Sequence, residues 1–176
     1  MVNNIKISSE DKISLSLKMS YLGVFSSLAI AISYFEAMLP TFPFFPPGAK
    51  LGLSNIVNMF VLEKFNFTYA ITICILKSFF ILITRGTTAF LMSITGGVFS
   101  IIIMYILFKF RKHSIGLISI SIIGAIFHNL GQLLVTALIT SGSVFYYIPI
   151  LMFFSLITGT LTGFILQIVM PSLNKI

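Results

Sequence analysis

The chain has 176 residues, of which 57% are hydrophobic and 9% are charged, and its formal net charge is +7. So few polar residues exclude a water-soluble globule and indicate a membrane protein. The basic balance does not indicate a nucleic-acid partner, because no basic patch is interleaved with aromatic residues. The single cysteine, Cys74, excludes an internal disulfide and a cysteine-based metal site.

Six apolar runs are candidates for membrane-spanning helices, each of which needs about 20 apolar residues. In chain order they are 19–38, 51–62, 69–84, 89–108, 115–139 and 144–170. The second is too short to span comfortably, so we expect it to extend into its flanks or to sit partly inside the bundle. The sequence thus predicts an all-α transmembrane domain of six helices at 19–170, between a cytoplasmic segment at 1–18 and a cytoplasmic tail at 171–176.

The start of the chain has lysines before an apolar run, as a secretory signal does. No small-x-small cleavage site follows, and the apolar run continues to Pro40. We therefore expect a retained first helix. Ser8 or Ser9 ahead of Glu10 and Asp11 predicts a helix start before the span, with a disordered tail as the alternative.

Basic residues predict the orientation, because lysine and arginine near helix ends are retained on the cytoplasmic side. With six spans and an inside amino end, eight of the eleven basic residues fall inside: Lys6, Lys12, Lys18, Lys64, Lys109, Arg111, Lys112 and Lys175. The opposite orientation would reverse this bias. Both termini are therefore predicted to be cytoplasmic.

Three cations remain, and they are the first candidates for a binding site. Lys50 and Arg85 close turns at the outer face, and Lys77 lies two turns deeper on the third helix. Lys77 and Arg85 are about 80° apart around that helix, broadly on one side. Ionisable groups within spans usually face a protein interior or a watery cavity, so we predict that these cations bind a ligand. Glu36, the one acid expected in the outer half, either pairs with a cation or contacts the ligand; the alternative for Lys50 and Arg85 is interface anchoring.

Polar side chains on the second and fifth helices complete the predicted ligand site. The run FHNLGQLL carries His128, Asn129 and Gln132, which at this spacing can form one polar sector. Asn55 and Asn58 lie three residues apart on the second helix. A purely structural role, with hydrogen bonds to neighbouring helices, is the alternative.

The loop LPTFPFFPPGAK, between the first two helices, is rigid and aromatic. Prolines stiffen it, and phenylalanines offer apolar or stacking contacts. We predict a lid over the site formed by Phe42, Phe44, Phe45, Pro46, Pro47 and Gly48. The alternative is an interfacial wedge held among lipid headgroups.

A stripe of small residues on the first helix, formed by Gly23, Ser27 and Ala31, repeats every four residues and can accept another helix at close range. Its face differs from that of the predicted site, so one side of the helix can dock a partner. Such stripes also pack helices within one protein, and Gly159 and Gly163 on the sixth helix are expected to do so.

Four segments carry a resemblance to a known family: PGAKLGLSNIV, the pair GG at 96–97, GAIFHNLGQLLVTALI and YYIPILMFFSLITGTLTG. They resemble a bacterial membrane family labelled heptaprenyl diphosphate synthase component I, or Gx transporter. That family is similar to the substrate-binding S components of energy-coupling factor (ECF) transporters. The resemblance implies an S-component-like fold in the bacterial cytoplasmic membrane. It also implies that the small-residue stripe docks a transmembrane coupling subunit, although alanines are more usual at those positions.

The residue inventory argues against catalysis by this chain alone. Prenyl diphosphate synthases hold magnesium with aspartate-rich motifs, because the diphosphate leaving group needs a metal to neutralise it. Here the only aspartate is Asp11, and no G-x-x-x-x-G-K-[ST] phosphate loop is present. We expect no catalytic residues, no metal and no cofactor, with energy for transport supplied by partner ATPases or by a gradient.

The combined prediction is an S component that captures a small, anionic and partly apolar molecule from outside, similar to a vitamin or to a quinone or isoprenoid precursor. Its partners would be the coupling subunit, ATPase subunits, the ligand and membrane lipid, with no nucleic acid. One alternative is a non-catalytic membrane accessory subunit of isoprenoid or quinone synthesis. A secondary transporter comes third, because no inverted repeat is visible and the charges cluster in the outer half.

Overall fold

The structure, a computed structural model, describes residues 3–39, 50–110, 115–140 and 143–173. Their regular elements are helices: α1 (Asn3–Met38), α2 (Asn55–Lys64), α3 (Phe67–Arg85), α4 (Thr87–Phe110), α5 (Leu117–Thr140) and α6 (Ile148–Leu173). A 3-10 turn at Ser143–Tyr147 precedes α6. The predicted all-α fold is therefore confirmed, and α1 runs from Asn3 through the first predicted span as one helix.

Five of the helices are long and apolar enough to cross a membrane: Ser16–Met38, Phe67–Arg85, Thr87–Phe110, Leu117–Thr140 and Ile148–Pro171. The remaining helix, α2, has 10 residues. At 1.5 Å per residue it is about 15 Å long, roughly half the hydrocarbon thickness of a bilayer. The six predicted spans are thus five long helices and one short helix.

The short helix α2 is buried among the long ones. It packs against α1, α3, α4, α5 and α6. Its buried residues are Asn55, Val57, Asn58, Met59, Val61 and Leu62. Two amides on this helix need polar partners that lipid does not offer, which explains why it sits inside the bundle. The expectation that the second segment lies partly inside the bundle is confirmed.

The segment from Lys50 to the end of α2 runs antiparallel to α1. Lys50 contacts Ser33 near the end of α1, and Phe65, just after α2, packs against the rings of Tyr21 and Phe25. Those contacts are 8 to 12 residues apart on α1, which corresponds to about 12–18 Å along its axis. The irregular segment from Lys50 and α2 together therefore extend along α1 for about half the thickness of a membrane.

The charged ends of the bundle are segregated. Lys109 lies over the ring of Tyr105, whose other neighbour is Phe67 at the start of α3. Lys50 and Arg85 lie at the opposite end of α3. Arg111, Lys112 and Lys175, which also entered the orientation argument, lie outside the described residues.

Close helix packing of α5 on α6 depends on two glycines. A Cβ on Gly159 would lie 2.5 Å from the Cα of Ile122, and one on Gly163 would lie 2.7 Å from the Cα of Ile118. Side chains at these positions would push the backbones apart. The expectation that these glycines pack helices within the protein is confirmed.

Replacing Gly159 with alanine is predicted to destabilise the bundle by about 1–3 kcal/mol, because the new methyl group meets backbone atoms that cannot move aside. Gly23, with open space around its Cα, is the matched control. Gly23→Ala should leave stability unchanged or raise it by up to about 1 kcal/mol through helix propensity. A thiol-reactive dye that reports exposure of the buried Cys74 on heating measures both variants. Equal unfolding temperatures would contradict the packing described for α5 and α6.

Candidate functional site

A small cavity lies where α1, α3, α4 and α5 meet the irregular segment before α2; we call it the outer cavity. Its volume is ≈ 20 Å³, enough for about one water molecule. Six predicted ligand residues line it: Glu36, Lys50, Lys77, Arg85, His128 and Gln132. The structure thus brings together side chains from four separate parts of the sequence.

Three cations and one carboxylate surround this cavity. Lys77 is the most enclosed, with 2% of its surface exposed, and its Nζ donates to Ser54 Oγ at 3.0 Å. Within the described part of the chain, no ion pair joins Lys77 to Glu36. Arg85 is half-buried, and its Nη1 has no hydrogen-bond partner among these residues. The cationic charge around the cavity is therefore only partly neutralised.

Ser54, at the start of α2, contacts the buried Lys77 of α3. It occupies the N-cap of α2, where a serine hydroxyl usually accepts from a backbone N–H of the first turn. Here its side chain makes no such bond and accepts from Lys77 instead. The start of α2 is thus tied to α3 through the buried ammonium group.

Lys50 is held by both its backbone and its side chain. Its N–H donates to Gln132 Oε1 at 2.9 Å, and its carbonyl accepts from Gln132 Nε2 at 3.2 Å. Its Nζ donates to the carbonyl and hydroxyl oxygens of Ser33, at 2.9 and 3.1 Å. The backbone of Lys50 is thus tied to α5 and its side chain to α1.

Glu36 fixes the turn that follows Lys50. Its Oε1 accepts from the N–H of Gly52, which has a φ of 84°. Its Oε2 is buried and has no hydrogen-bond partner in the described residues. Only glycine adopts this φ without strain, so the turn that aims the Gly52 N–H at the carboxylate requires glycine here.

His128 is enclosed by two glycine backbones. A Cβ on Gly52 would lie 2.7 Å from His128 Cδ2, and one on Gly96 would lie 2.9 Å from Nδ1. His128 Nε2 lies 2.6 Å from Gln132 Nε2. Because the Lys50 backbone fixes which end of the Gln132 amide donates, His128 Nε2 must be the acceptor. The ring is therefore neutral, with its proton on Nδ1.

The predicted polar sector of α5 divides into two. His128 and Gln132 face the outer cavity, whereas Asn129 turns towards α6 and donates to Ser155 Oγ at 2.7 Å. Consecutive residues are about 100° apart around a helix, so all three cannot face one point. Asn129 makes the helix-to-helix hydrogen bond that was the structural alternative.

Asn55 and Asn58 do not line the outer cavity. Asn58 is fully buried and donates to Asn55 Oδ1 at 3.4 Å. Asn55 lines a deeper cavity of ≈ 10 Å³, which we call the inner cavity. The two asparagines thus lie below the charged cluster rather than in it.

Three serines and a glycine that no sequence pattern marks as site residues also line the outer cavity. They are Ser33, Gly52, Ser54 and Ser93. Single serines and glycines are common in membrane helices as packing residues, so their type carried no signal. Gly52 could have been noticed, because it follows Lys50 in a segment rich in turn residues.

The structure describes the predicted docking stripe but not the predicted lid. Phe42, Phe44, Phe45, Pro46, Pro47 and Gly48 lie outside the described residues. The small-residue stripe formed by Gly23, Ser27 and Ala31 is exposed along its length, and Ser27 Oγ donates to the carbonyl of Gly23 at 2.8 Å. No helix of the described bundle covers this stripe.

Comparison with known proteins identifies a family. The family model described as heptaprenyl diphosphate synthase component I matches residues 25–169, which is most of the chain and includes all the residues around the outer cavity. No curated protein and no solved structure matches. The family description names one component of a synthase, which implies a second component.

The close contact between Gly52 and His128 can be tested with Gly86 as the control. Gly52 and Gly86 share a φ near +85°, but only Gly52 has a neighbour where a Cβ would stand. Gly86→Ala should cost about 1–3 kcal/mol from backbone strain alone. Gly52→Ala should lower the unfolding temperature further, because its methyl group also meets the imidazole. Adding His128→Ala to Gly52→Ala should recover part of the loss, and equal effects of the two single variants would refute the crowding.

Proposed function

The chain belongs to the heptaprenyl diphosphate synthase component I family, and we propose that it is a substrate-binding S component of an ECF importer. Its ligand would be a small anionic molecule captured from outside the cell. The observation that carries the proposal is the outer cavity, in which three cations face one carboxylate. The protein would act as one membrane subunit of a larger assembly.

The electrostatics of the outer cavity favour an anion. A buried ammonium group is costly unless a negative charge or several hydrogen bonds compensate for its lost hydration. Lys77 has one hydroxyl partner, and the Glu36 carboxylate is engaged by the backbone of Gly52. A carboxylate or phosphate entering beside Lys77 and Arg85 would supply the missing compensation. A cationic or neutral ligand would not.

The geometry of Lys50 suggests how the ligand would enter. The cavity holds about one water as it stands, so a larger ligand requires side chains to move. Lys50 and Arg85 are long and only partly buried, and the Lys50 ammonium is held by a single serine. An incoming anion would exchange the Ser33 oxygens for its own, at little cost to the fold.

The membrane arrangement that we propose has six crossings with both termini in the cytoplasm. The segment 51–64 would provide the second crossing, with its irregular part protected from lipid by the bundle. The outer cavity would then open to the outside of a bacterial cytoplasmic membrane. Positive charge at Lys64 and Lys109, at the other end of the bundle, supports this orientation.

The small-residue stripe on α1 would dock the transmembrane coupling subunit. It lies about 140° around α1 from the face that carries Glu36, so docking and ligand binding would use different sides of one helix. Its residues allow a partner helix to approach closely. ATPase subunits bound to the coupling subunit would supply the energy.

A second function is supported by the family description itself. A membrane accessory subunit of isoprenoid or quinone synthesis would assemble with a soluble synthase. It would use the same exposed face of α1 for that contact. The two functions differ in the partner they require.

Native mass spectrometry of the protein purified gently from its own membranes tests which partner is present. We expect an acidic small molecule together with a coupling subunit and ATPase subunits. Gly23→Leu with Ala31→Leu should release the protein partners, because bulky side chains fill the stripe. Ile83→Phe, on the exposed face of α3, is the control and should retain them. A soluble prenyl synthase without ATPase subunits would instead favour the accessory-subunit function.

Lys77→Met should abolish most ligand retention while preserving the fold. Loss of a charge-assisted hydrogen bond predicts a decrease in affinity of about 10- to 100-fold. Methionine fills similar space, and removal of a buried charge offsets the loss of the hydrogen bond to Ser54, so the unfolding temperature should change little. Lys109→Met, far from the cavity, is the matched control. Unchanged ligand occupancy in Lys77→Met would remove this lysine from the site.

A further inference from the structure

The inner cavity lies next to the outer cavity, and Gly52 lines both of them. Its walls come from α2, α4, α5 and α6. Beside Asn55, they carry the hydroxyl groups of Ser100, Ser121, Thr158 and Thr162. Among the described residues, no charged side chain lines it, in contrast to the outer cavity.

Some of these polar groups have no partner in the described part of the chain. Asn55 Nδ2 and Ser100 Oγ make no hydrogen bond there, and both residues are buried, with 8% of Asn55 and none of Ser100 exposed. In a membrane interior, such groups need a partner that neither lipid nor an apolar side chain can give. The inner cavity therefore offers a free amide donor and a free hydroxyl.

The two threonine hydroxyl groups around the inner cavity donate their protons within α6, so towards the cavity they can only accept. Thr158 Oγ1 donates to the carbonyl of Phe154 at 2.9 Å, and Thr162 Oγ1 donates to the carbonyl of Thr158 at 2.8 Å. Their protons are engaged on their own helix, and Thr162 Oγ1 also accepts from Ser121 Oγ at 2.7 Å. One lone pair of Thr162 and those of Thr158 remain for a donor in the cavity. The site can thus both donate to and accept from one uncharged polar group.

We propose that the inner cavity is a second ligand subsite that binds an uncharged hydrogen-bonding group, such as a primary amide. The inference rests on the proposed function, because the same ligand would place its anionic end among the cations of the outer cavity. At Gly52 the His128 imidazole and the Asn55 amide lie between the two cavities, so these side chains would turn aside for one ligand to reach both. The ligand is thus an elongated molecule with an acid at one end and a neutral polar group at the other.

Room for that group comes from flexible side chains in the wall of the inner cavity. Met59 and Met104 line it, and unbranched thioether side chains adjust readily to a new occupant. In the volume of ≈ 10 Å³ that they leave, about one water molecule fits. Such a water would be displaced when the ligand enters.

The test compares two series of straight-chain carboxylates of increasing length, which end either in a primary amide or in a methyl group. Binding is measured by titration calorimetry with the purified protein in lipid nanodiscs, against empty nanodiscs. At one chain length, the amide compound should bind about tenfold more tightly, because it gains one or two hydrogen bonds in a buried site. Ser100→Ala should remove most of this preference and leave the methyl-ended compound unaffected. Thr72→Ala, an exposed hydroxyl on α3, is the control and should preserve the preference.

The outcomes separate this inference from the proposed function. If neither series binds at any length, the anion site itself is overturned. If both series bind equally at every length, the second subsite is overturned and the anion site stands. An amide preference that survives Ser100→Ala would place the neutral end outside the inner cavity and overturn the assignment.

Discussion

An irregular backbone segment inside a membrane bundle must find internal partners for its N–H and C=O groups, and the rest of this structure follows from that requirement. Gln132 satisfies both backbone groups of Lys50, and Glu36 satisfies the N–H of Gly52. These two side chains hold the segment in place from opposite sides. The start of α2, the position of His128 and the shape of the outer cavity are all set by this arrangement.

The same arrangement determines the charge balance of the site. Glu36 lies close enough to compensate a cation, but one of its oxygens is held by the turn at Gly52, and a single carboxylate cannot balance three cations. Lys77 bonds to the serine that starts α2, and Lys50 bonds to α1. These charged side chains therefore make hydrogen bonds that hold the chain in place. The positive charge that they leave unbalanced can still attract an anion. Fold and binding chemistry use the same few side chains.

Periodicity accounts for what could be predicted from sequence. The long helices were visible as apolar runs, and the eight-residue spacing of Lys77 and Arg85 placed both on one side of α3, where the outer cavity lies. The four-residue spacing of His128 and Gln132 worked for the same reason. The adjacent Asn129 lies on the side of α5 that faces α6, because neighbouring residues are about 100° apart around a helix.

Contacts between distant positions were beyond such reasoning. The pairing of Lys50 with Gln132 joins residues 82 apart, and neither residue type indicates the other. The deep position of Asn55 and Asn58 depends on how far α2 is drawn into the bundle, which is a matter of tertiary packing. Serines that complete the cavity were hidden among many others. The sequence therefore indicated which charged residues form the site better than it indicated how deep in the bundle Asn55 and Asn58 lie.

The two glycine backbones that enclose His128 have a consequence for evolution. Gly52 and Gly96 lie in different parts of the chain. A side chain at Gly52 would occupy the space of the imidazole, and one at Gly96 would meet both the imidazole and the backbone carbonyl of His128. A homologue that changes Gly52 must also shrink or move the side chain at position 128, whereas one that changes Gly96 must also move the backbone there. The three positions should therefore co-vary across the family. Chains that keep Gly, Gly and His together would form a subgroup with a common binding-site architecture, and chains that have lost all three would have diverged in what they bind.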